Sequence, residues 1–412
     1  MRHLSGRLLA AAAVVPITVF ASAAPAEAQE ETFAQPAQAA ASWLVAQSDG
    51  TSWNNQDVST SLDAVIALEA AGVGGDQVQA TLEWLNNTDT LTPYVYPTVE
   101  GAAEPTLSAG SAGKVMYTVA TAGGDPENFG GIKLADALTA SQTATGSYGD
   151  GTALSTAWAV LGLSRTDSPA GEEAAAGLAA MQCPDGGFNY MDVDGGDDCV
   201  SDPDTTGLTA AALATLGDAG SASLTSAVDW LESVQAEDGG FDNGMGENAN
   251  STAMAAQAFL AADRPDAAGR AVAFLIGLQY DCTGAEPGAI MYTDPEGGDY
   301  VEISRLLATA QAIVPIASQN LTELDATGIE PGVPGTGCES AGSDAETTDA
   351  VEDEGSASWL PWAIGAAVVV LAALIIGFAL KSRRGAAATE APSGEETDAA
   401  DEGSTDKDGT DK

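Results

Sequence analysis

The chain has 412 residues, 45% of them hydrophobic, and a formal net charge of −47 at pH 7. Its 60 acidic side chains against 13 basic ones exclude a surface that grips nucleic acid or anionic lipid headgroups, because like charge repels both. The same surface stays soluble and attracts cations.

In chain order, Arg2 and Arg7 come first and give a positive leader. Leu8 to Phe20 is apolar but too short to span a bilayer, and Ala26-Glu27-Ala28 is a small-x-small cleavage site. Residues 1–28 therefore read as a secretory signal and are set apart from the fold.

From residue 29 the chain repeats itself. Gln182-x-x-Asp185-Gly186-Gly187-Phe188 recurs as Gln235-x-x-Asp238-Gly239-Gly240-Phe241. Weaker copies run from Gln142 to Tyr148 and from Gln47 to Trp53. Two degenerate copies place Asp89 after Trp84-Leu85 and Gln279 after Phe274-Leu275. These six anchors lie 40 to 53 residues apart, room for two helices and two loops each. An amphipathic stretch precedes each anchor, such as Leu224 to Gln235 with Val228, Leu231 and Val234 on one face. An Ala-rich stretch follows: Leu62 to Ala71, Leu154 to Leu163, Leu208 to Leu216, Met254 to Ala262. The second kind is apolar nearly all round, so it is buried on both sides. A ring of buried helices inside a ring of amphipathic ones satisfies both patterns. The expected fold is all-α, an (α/α)6 toroid of about six helical hairpins over residues 29–329 (by repeat count). The Gly pair of each motif ends an outer helix in a left-handed turn. Its Gln and Asp bond turn backbone, its aromatic plugs the gap between hairpins, and Ser59, Asp204 and Asn250 cap inner helices.

Residues 330–358 are rich in Gly, Pro and acid and read as a stalk. Residues 359–380 carry no charge and are long enough to cross a membrane as a helix. Trp359 and Trp362 mark one edge of that span, and Lys381, Arg383 and Arg384 the other. The positive-inside rule then leaves residues 381–412 as a disordered cytoplasmic tail. This makes a single-pass, type I protein of the cell membrane with its large domain outside.

Cys183, Cys199, Cys282 and Cys338 are even in number in an exported chain, so disulfides are expected. Sequence proximity favours Cys183–Cys199 and Cys282–Cys338. Zinc is not expected, since the one histidine, His3, leaves with the signal. Asp192, Asp194, Asp197 and Asp198 crowd one loop around Cys199. Calcium favours such carboxylates, but the spacing is not that of an EF-hand. A solvated acidic loop is the simpler reading.

Q-x-x-D-G-G-F before an Ala-rich helix resembles the prenyltransferase and squalene-cyclase repeat, over most of residues 33–320. The resemblance implies the α/α-toroid, terpenoid-cyclase-like fold and leaves function open among several branches. Class II terpene cyclases protonate their substrate from the middle Asp of D-x-D-D-T-A. Here Asp202-Pro203-Asp204-Thr205-Thr206-Gly207 puts Asp204 on that position and Thr205 where the last Asp belongs. Aromatics, which stabilise carbocations, are 6% of the chain. Prenyltransferases need a zinc-binding His, and the one His here leaves with the signal; thioester proteins need a G-C-G-E-Q-like sequence, and none occurs. Glycan enzymes of (α/α)6 form need a positioned acid/base pair of carboxylates, and with so many Asp and Glu the sequence neither nominates nor excludes one. What remains is binding. The cobalamin-binding barrels of the intrinsic factor and transcobalamin type are the nearest functional analogy.

The reading is a non-catalytic barrel that takes a small molecule, cobalamin-like or isoprenoid, or a protein partner outside the cell. Tyr148, Tyr190, Asp204, Asn250, Tyr292 and Tyr300 are its ligand-binding candidates, beside the plugs Phe188 and Phe241. A degenerate terpene cyclase or prenyltransferase-like enzyme using Asp204, and a structural protein of the cell envelope, are the alternatives.

Overall fold

Six Ala-rich segments form helices that are apolar on nearly every side. They are α2 (Val58–Ala71), α5 (Ala109–Thr121), α7 (Ala153–Leu163), α9 (Pro203–Thr215), α11 (Ala249–Ala261) and α13 (Arg305–Ile316). A helix of that kind must be covered all round, and the computed structural model does this by closing a ring. Each inner helix packs on the next in the order α2, α5, α7, α9, α11, α13, and α13 returns to α2. Small residues bring neighbours close: a Cβ added at Gly113 of α5 would lie 2.2 Å from the Trp158 carbonyl of α7. Described residues are 33, 35–98, 104–190, 195–293, 304–326 and 328–338. The expected signal 1–28, the expected stalk beyond residue 338, the expected span 359–380 and the expected tail 381–412 lie outside them. So do Asp192, Asp194 and Tyr300. Among the described residues no helix is long and apolar enough to cross a membrane.

An outer ring covers the inner one. Its helices are α1 (Pro36–Ala46), α3 (Gly75–Leu85), α6 (Leu134–Ala140), α8 (Glu172–Met181), α10 (Ser221–Val234) and α12 (Pro265–Gly277). α1 lies on α13 and α2, α3 on α2, α6 on α5, α8 on α7 and α9, α10 on α9, and α12 on α11 and α13. This is the (α/α)6 double ring the repeat predicts. The second hairpin departs from the pattern. Asp89 sits in the first turn of an added helix, α4 (Thr88–Val95), capped by Asn87, so no anchor turn exists there. A short antiparallel hairpin, β1 (Asn128–Phe129) with β2 (Ile132–Lys133), precedes α6.

The repeated motif holds neighbouring hairpins together. Gln182 Nε2 donates to the Gly186 carbonyl of its own turn at 2.7 Å and to Ser223 of the next outer helix at 2.9 Å. Gln235 does the same to Gly239 and Ala267. Gln279 reaches Gly288 and Pro36, so the last hairpin clasps the first. The first glycine of each pair has positive φ, +103° at Gly186 and +100° at Gly239. The second does not. It is held by space instead, since a Cβ at Gly240 would meet the Phe274 ring at 2.7 Å. The plug that follows also docks by its backbone. The N–H of Trp53, Tyr148, Phe188, Phe241 and Ile290 donates to a Ser or Thr hydroxyl of the following inner helix, at 2.8–3.1 Å.

The expected caps are corrected by two residues. The side chains that accept first-turn N–H groups are Asp57, Asp202 and Asn248, bonding Thr60, Thr205 and Ser251. Ser59, Asp204 and Asn250 already lie inside their helices. The polar first turns, Pro203 at N1 among them, disguise helix as loop.

Residues 330–338, expected as the start of a stalk, pack on the toroid instead. Leu321 and Leu324 are buried, and the Ala326 N–H donates to the Thr121 carbonyl of α5. Gly74, Gly75 and Asp76 donate to the carbonyls of Gly332, Glu330 and Pro331. Cys338 is joined to Cys282. Residues 330–338 are therefore docked on the toroid. Cys183 is joined to Cys199.

Candidate functional site

The sixth residue of every inner helix faces the same space. These are Asp63, Lys114, Trp158, Leu208, Met254 and Ala310. With 3.6 residues per turn, that shared register makes a belt inside the barrel. The cavity they surround measures about 150 Å³. Ile66, Leu154, Val314 and Leu321 extend its apolar wall, and Asp204, Gln257 and Gln311 add polar groups. Trp158 is its one aromatic among the described residues.

Two carboxylates face this cavity, and they differ. Asp63 is paired with Lys114 at 2.7 Å. Lys114 also donates to the Ser59 carbonyl and hydroxyl at 3.2 and 3.4 Å and lies 5.6 Å from the Trp158 ring centre. Burial works against charge on Lys114, but the nearby Asp63 carboxylate, helped by Tyr94 and Asp57, holds it above the ordinary lysine value. Asp204 has no basic partner among the described residues. Ser251 Oγ and Asn243 Nδ2 donate to its Oδ2 at 3.0 and 3.3 Å. Burial, with the Asp202 charge added, raises its carboxyl from 3.8 to about 6. Those causes outweigh its hydrogen bonds. Asp204 is a cavity group.

The other expected residues divide. Tyr292 is buried and shares Asn243 with Asp204. Asn250 donates to Gln311 Oε1 at 2.5 Å. Both lie by the same end of the barrel as Asp204. Tyr148 is instead a plug beside α7, its hydroxyl raised by burial and by Glu173 of α8. Tyr190 is 52% exposed and does not line the cavity. Phe188 and Phe241 are buried plugs. Asp197 and Asp198 are exposed, and among the described residues no three His, Cys, Asp or Glu side chains are placed to hold a metal. Sequence reasoning missed Asp63, Lys114, Trp158, Asn243, Gln257 and Gln311. Lys114 carried a signal: it is a rare base inside an Ala-rich helix that must be buried.

No protein-family model matches the chain, and no curated protein is similar to it in sequence. Solved structures are similar in chain path. A type II terpene cyclase from Scytonema, in complex with geranylgeranyl dihydroxybenzoate, is 15% identical over 69% of this chain and 96% of that one, TM-score 0.49. A wild-type glycosidase is 16% identical over 71% and 98%, TM-score 0.46. The ent-copalyl diphosphate synthase of Streptomyces platensis is 17% identical over 62% and 50%, TM-score 0.41. None of these likenesses selects an activity. The α/α-toroid rests on the closed ring of helices itself.

Proposed function

We propose that this chain is a binding barrel, non-catalytic and carried on the outer face of a membrane, that takes a small molecule into its central cavity. One observation carries the reading: all six inner helices turn their sixth residue into one largely apolar space. Such a space with a few fixed polar groups is the usual form of a small-ligand site. Its size limits the occupant. Drug-sized ligands fill roughly 300–1,000 Å³, whereas an apolar cavity of roughly 150 Å³ is matched to a molecule like benzene. That argues against a cobalamin and against a coiled polyprenyl chain. The two disulfides fit an oxidising location, and the uncharged run 359–380 fits an anchor.

Native mass spectrometry of the full chain tests it. A small mass should ride on the folded chain, leave on unfolding, and be missing from Leu154→Trp, which fills the cavity. A bare chain that also binds nothing from a library of compounds of that size contradicts the reading.

One observation favours an enzyme instead. Asp204 sits in the cavity with a carboxyl titrating at about 6, within the range of a general acid. Cyclic products from a polyprenyl substrate, absent with Asp204→Asn, would establish it. A lone aromatic wall and the small volume weigh against it.

A further inference from the structure

The polar groups of the cavity are not balanced. Lys114 spends its ammonium on Asp63 and on the two oxygens of Ser59, so the one base has no donor left for a ligand. Asp63 and Lys114 cancel. Asp204 remains, held by neutral donors alone. Three further buried acceptors lack partners. Asn243 Oδ1 and Asn250 Oδ1 lie by that end, and Gln257 Oε1, of a residue 2% exposed, lines the cavity about two turns further along α11. A buried acceptor without a donor costs about 1–3 kcal/mol, and a buried carboxylate without a countercharge costs more. Both costs are relieved by an occupant that brings N–H donors and positive charge.

We propose that the cavity takes an organic cation, a primary ammonium on a compact apolar body, with Asp204 as its counter-charge. This rests on the reading of the cavity as a ligand site. The apolar wall of Leu154, Leu208, Met254 and Val314 covers the body. A bare metal ion is disfavoured, since it needs several oxygens around it and this wall offers carbon. The strongly acidic chain draws such a ligand in, because a field of one sign raises the local concentration of the opposite charge.

The experiment is calorimetric titration of the full chain with three probes of one shape: cyclohexylammonium, cyclohexanol and cyclohexanecarboxylate. Cyclohexylammonium should bind one to one and at least tenfold tighter than cyclohexanol, with no binding of the carboxylate. Asp204→Asn should reduce the ammonium to the affinity of the alcohol. Leu154→Trp should abolish binding of both while leaving every surface charge in place. Equal affinity for ammonium and alcohol overturns the cation and leaves the cavity as a binding site. Tighter binding of the carboxylate overturns it too. Ammonium binding that survives Leu154→Trp belongs to the acidic surface and overturns the inference. No binding of any probe removes both this inference and the reading beneath it.

Discussion

Asp204 and Glu69 are both carboxyls on inner helices, the first half-buried and the second buried, and the two ends of the barrel treat them differently. Asp204, in the first turn of α9, faces the cavity and accepts from two side chains. Glu69 lies near the last turn of α2 and is 3% exposed. Thr121 Oγ1 donates to its Oε2 at 2.6 Å, and its Oε1 has no partner. Burial raises it from 4.5 to about 8, with Asp325 adding to that and Thr121 and Arg165 opposing it. That end is shut. Tyr117 Oη and Arg165 Nη2 both donate to the Leu321 carbonyl, at 2.8 and 2.9 Å, and so fasten the segment that closes the floor. The Asp204 end keeps a carboxyl that ionises below neutral pH and faces the cavity. The closed end keeps a carboxylic acid that stays neutral at pH 7. A buried carboxyl marks a site only when there is room beside it.

The largest effect comes from removing the frame that both ends share. Gly239 has φ +100°, and a Cβ there would lie 2.3 Å from the Arg270 carbonyl of α12. Gly239→Val should cost roughly 4 kcal/mol or more. Gly244 has φ +94° but nothing within 4 Å, so Gly244→Val should cost roughly 1–2 kcal/mol of backbone strain. Thermal melts of the two variants compare them, and equal losses would mean that the turn does not bear on the next outer helix.

Next is the closed end. The native carboxyl of Glu69 binds its proton more tightly than the unfolded one does, so stability falls as pH rises from about 4.5 to about 8. Glu69→Gln, which cannot ionise, should raise the melting temperature at pH 9 by roughly 5 °C or more and leave it unchanged at pH 4. No gain at pH 9 would mean that water reaches this carboxyl.

The Asp204 end gives a smaller effect of the same sign. Asp204 costs stability as pH rises from about 3.8 to about 6. Asp204→Asn should gain roughly 2–5 °C at pH 7.5, less than Glu69→Gln at pH 9. The groups that act on Asp204 are Asp202, the N-cap of its helix, with Asn243 and Ser251 beside it; the Asp63–Lys114 pair lines the same cavity. A larger gain than that of Glu69→Gln would invert the comparison. Smallest of all is Tyr190→Ala. Its side chain is half in solvent, so stability and probe binding should both stay at wild-type values.

The hairpins were legible because each motif repeats a mechanical task. Gln182, Gln235 and Gln279 recur wherever a turn must be tied to the next outer helix, and a repeated task leaves a repeated residue. The second hairpin was misread at Asp89, where α4 replaces the turn and the tie is lost. Cap positions slipped by two because Thr205 and Ser251 read as loop while serving as the first helical turn. Asp204 was visible through its motif. Its role was not, because burial by Leu208, Met254 and the far side of the ring is a product of closure, and closure brings together residues far apart in the chain. The belt of sixth residues differs chemically from helix to helix, so no repeat announces it.

The central claim is that Asp204 is the unmatched charge of a ligand cavity, and carboxyl carbon NMR reads it directly. Aspartate-labelled full chain is titrated with and without cyclohexylammonium, and Asp204→Asn assigns the signal. Asp204 should titrate at about 6 in the free chain and fall well below that with the ammonium bound, since a cation favours the ionised form. Titration near the ordinary aspartate value in both samples would contradict the account, for the carboxyl would then be open to water and the cavity would hold no charge to match.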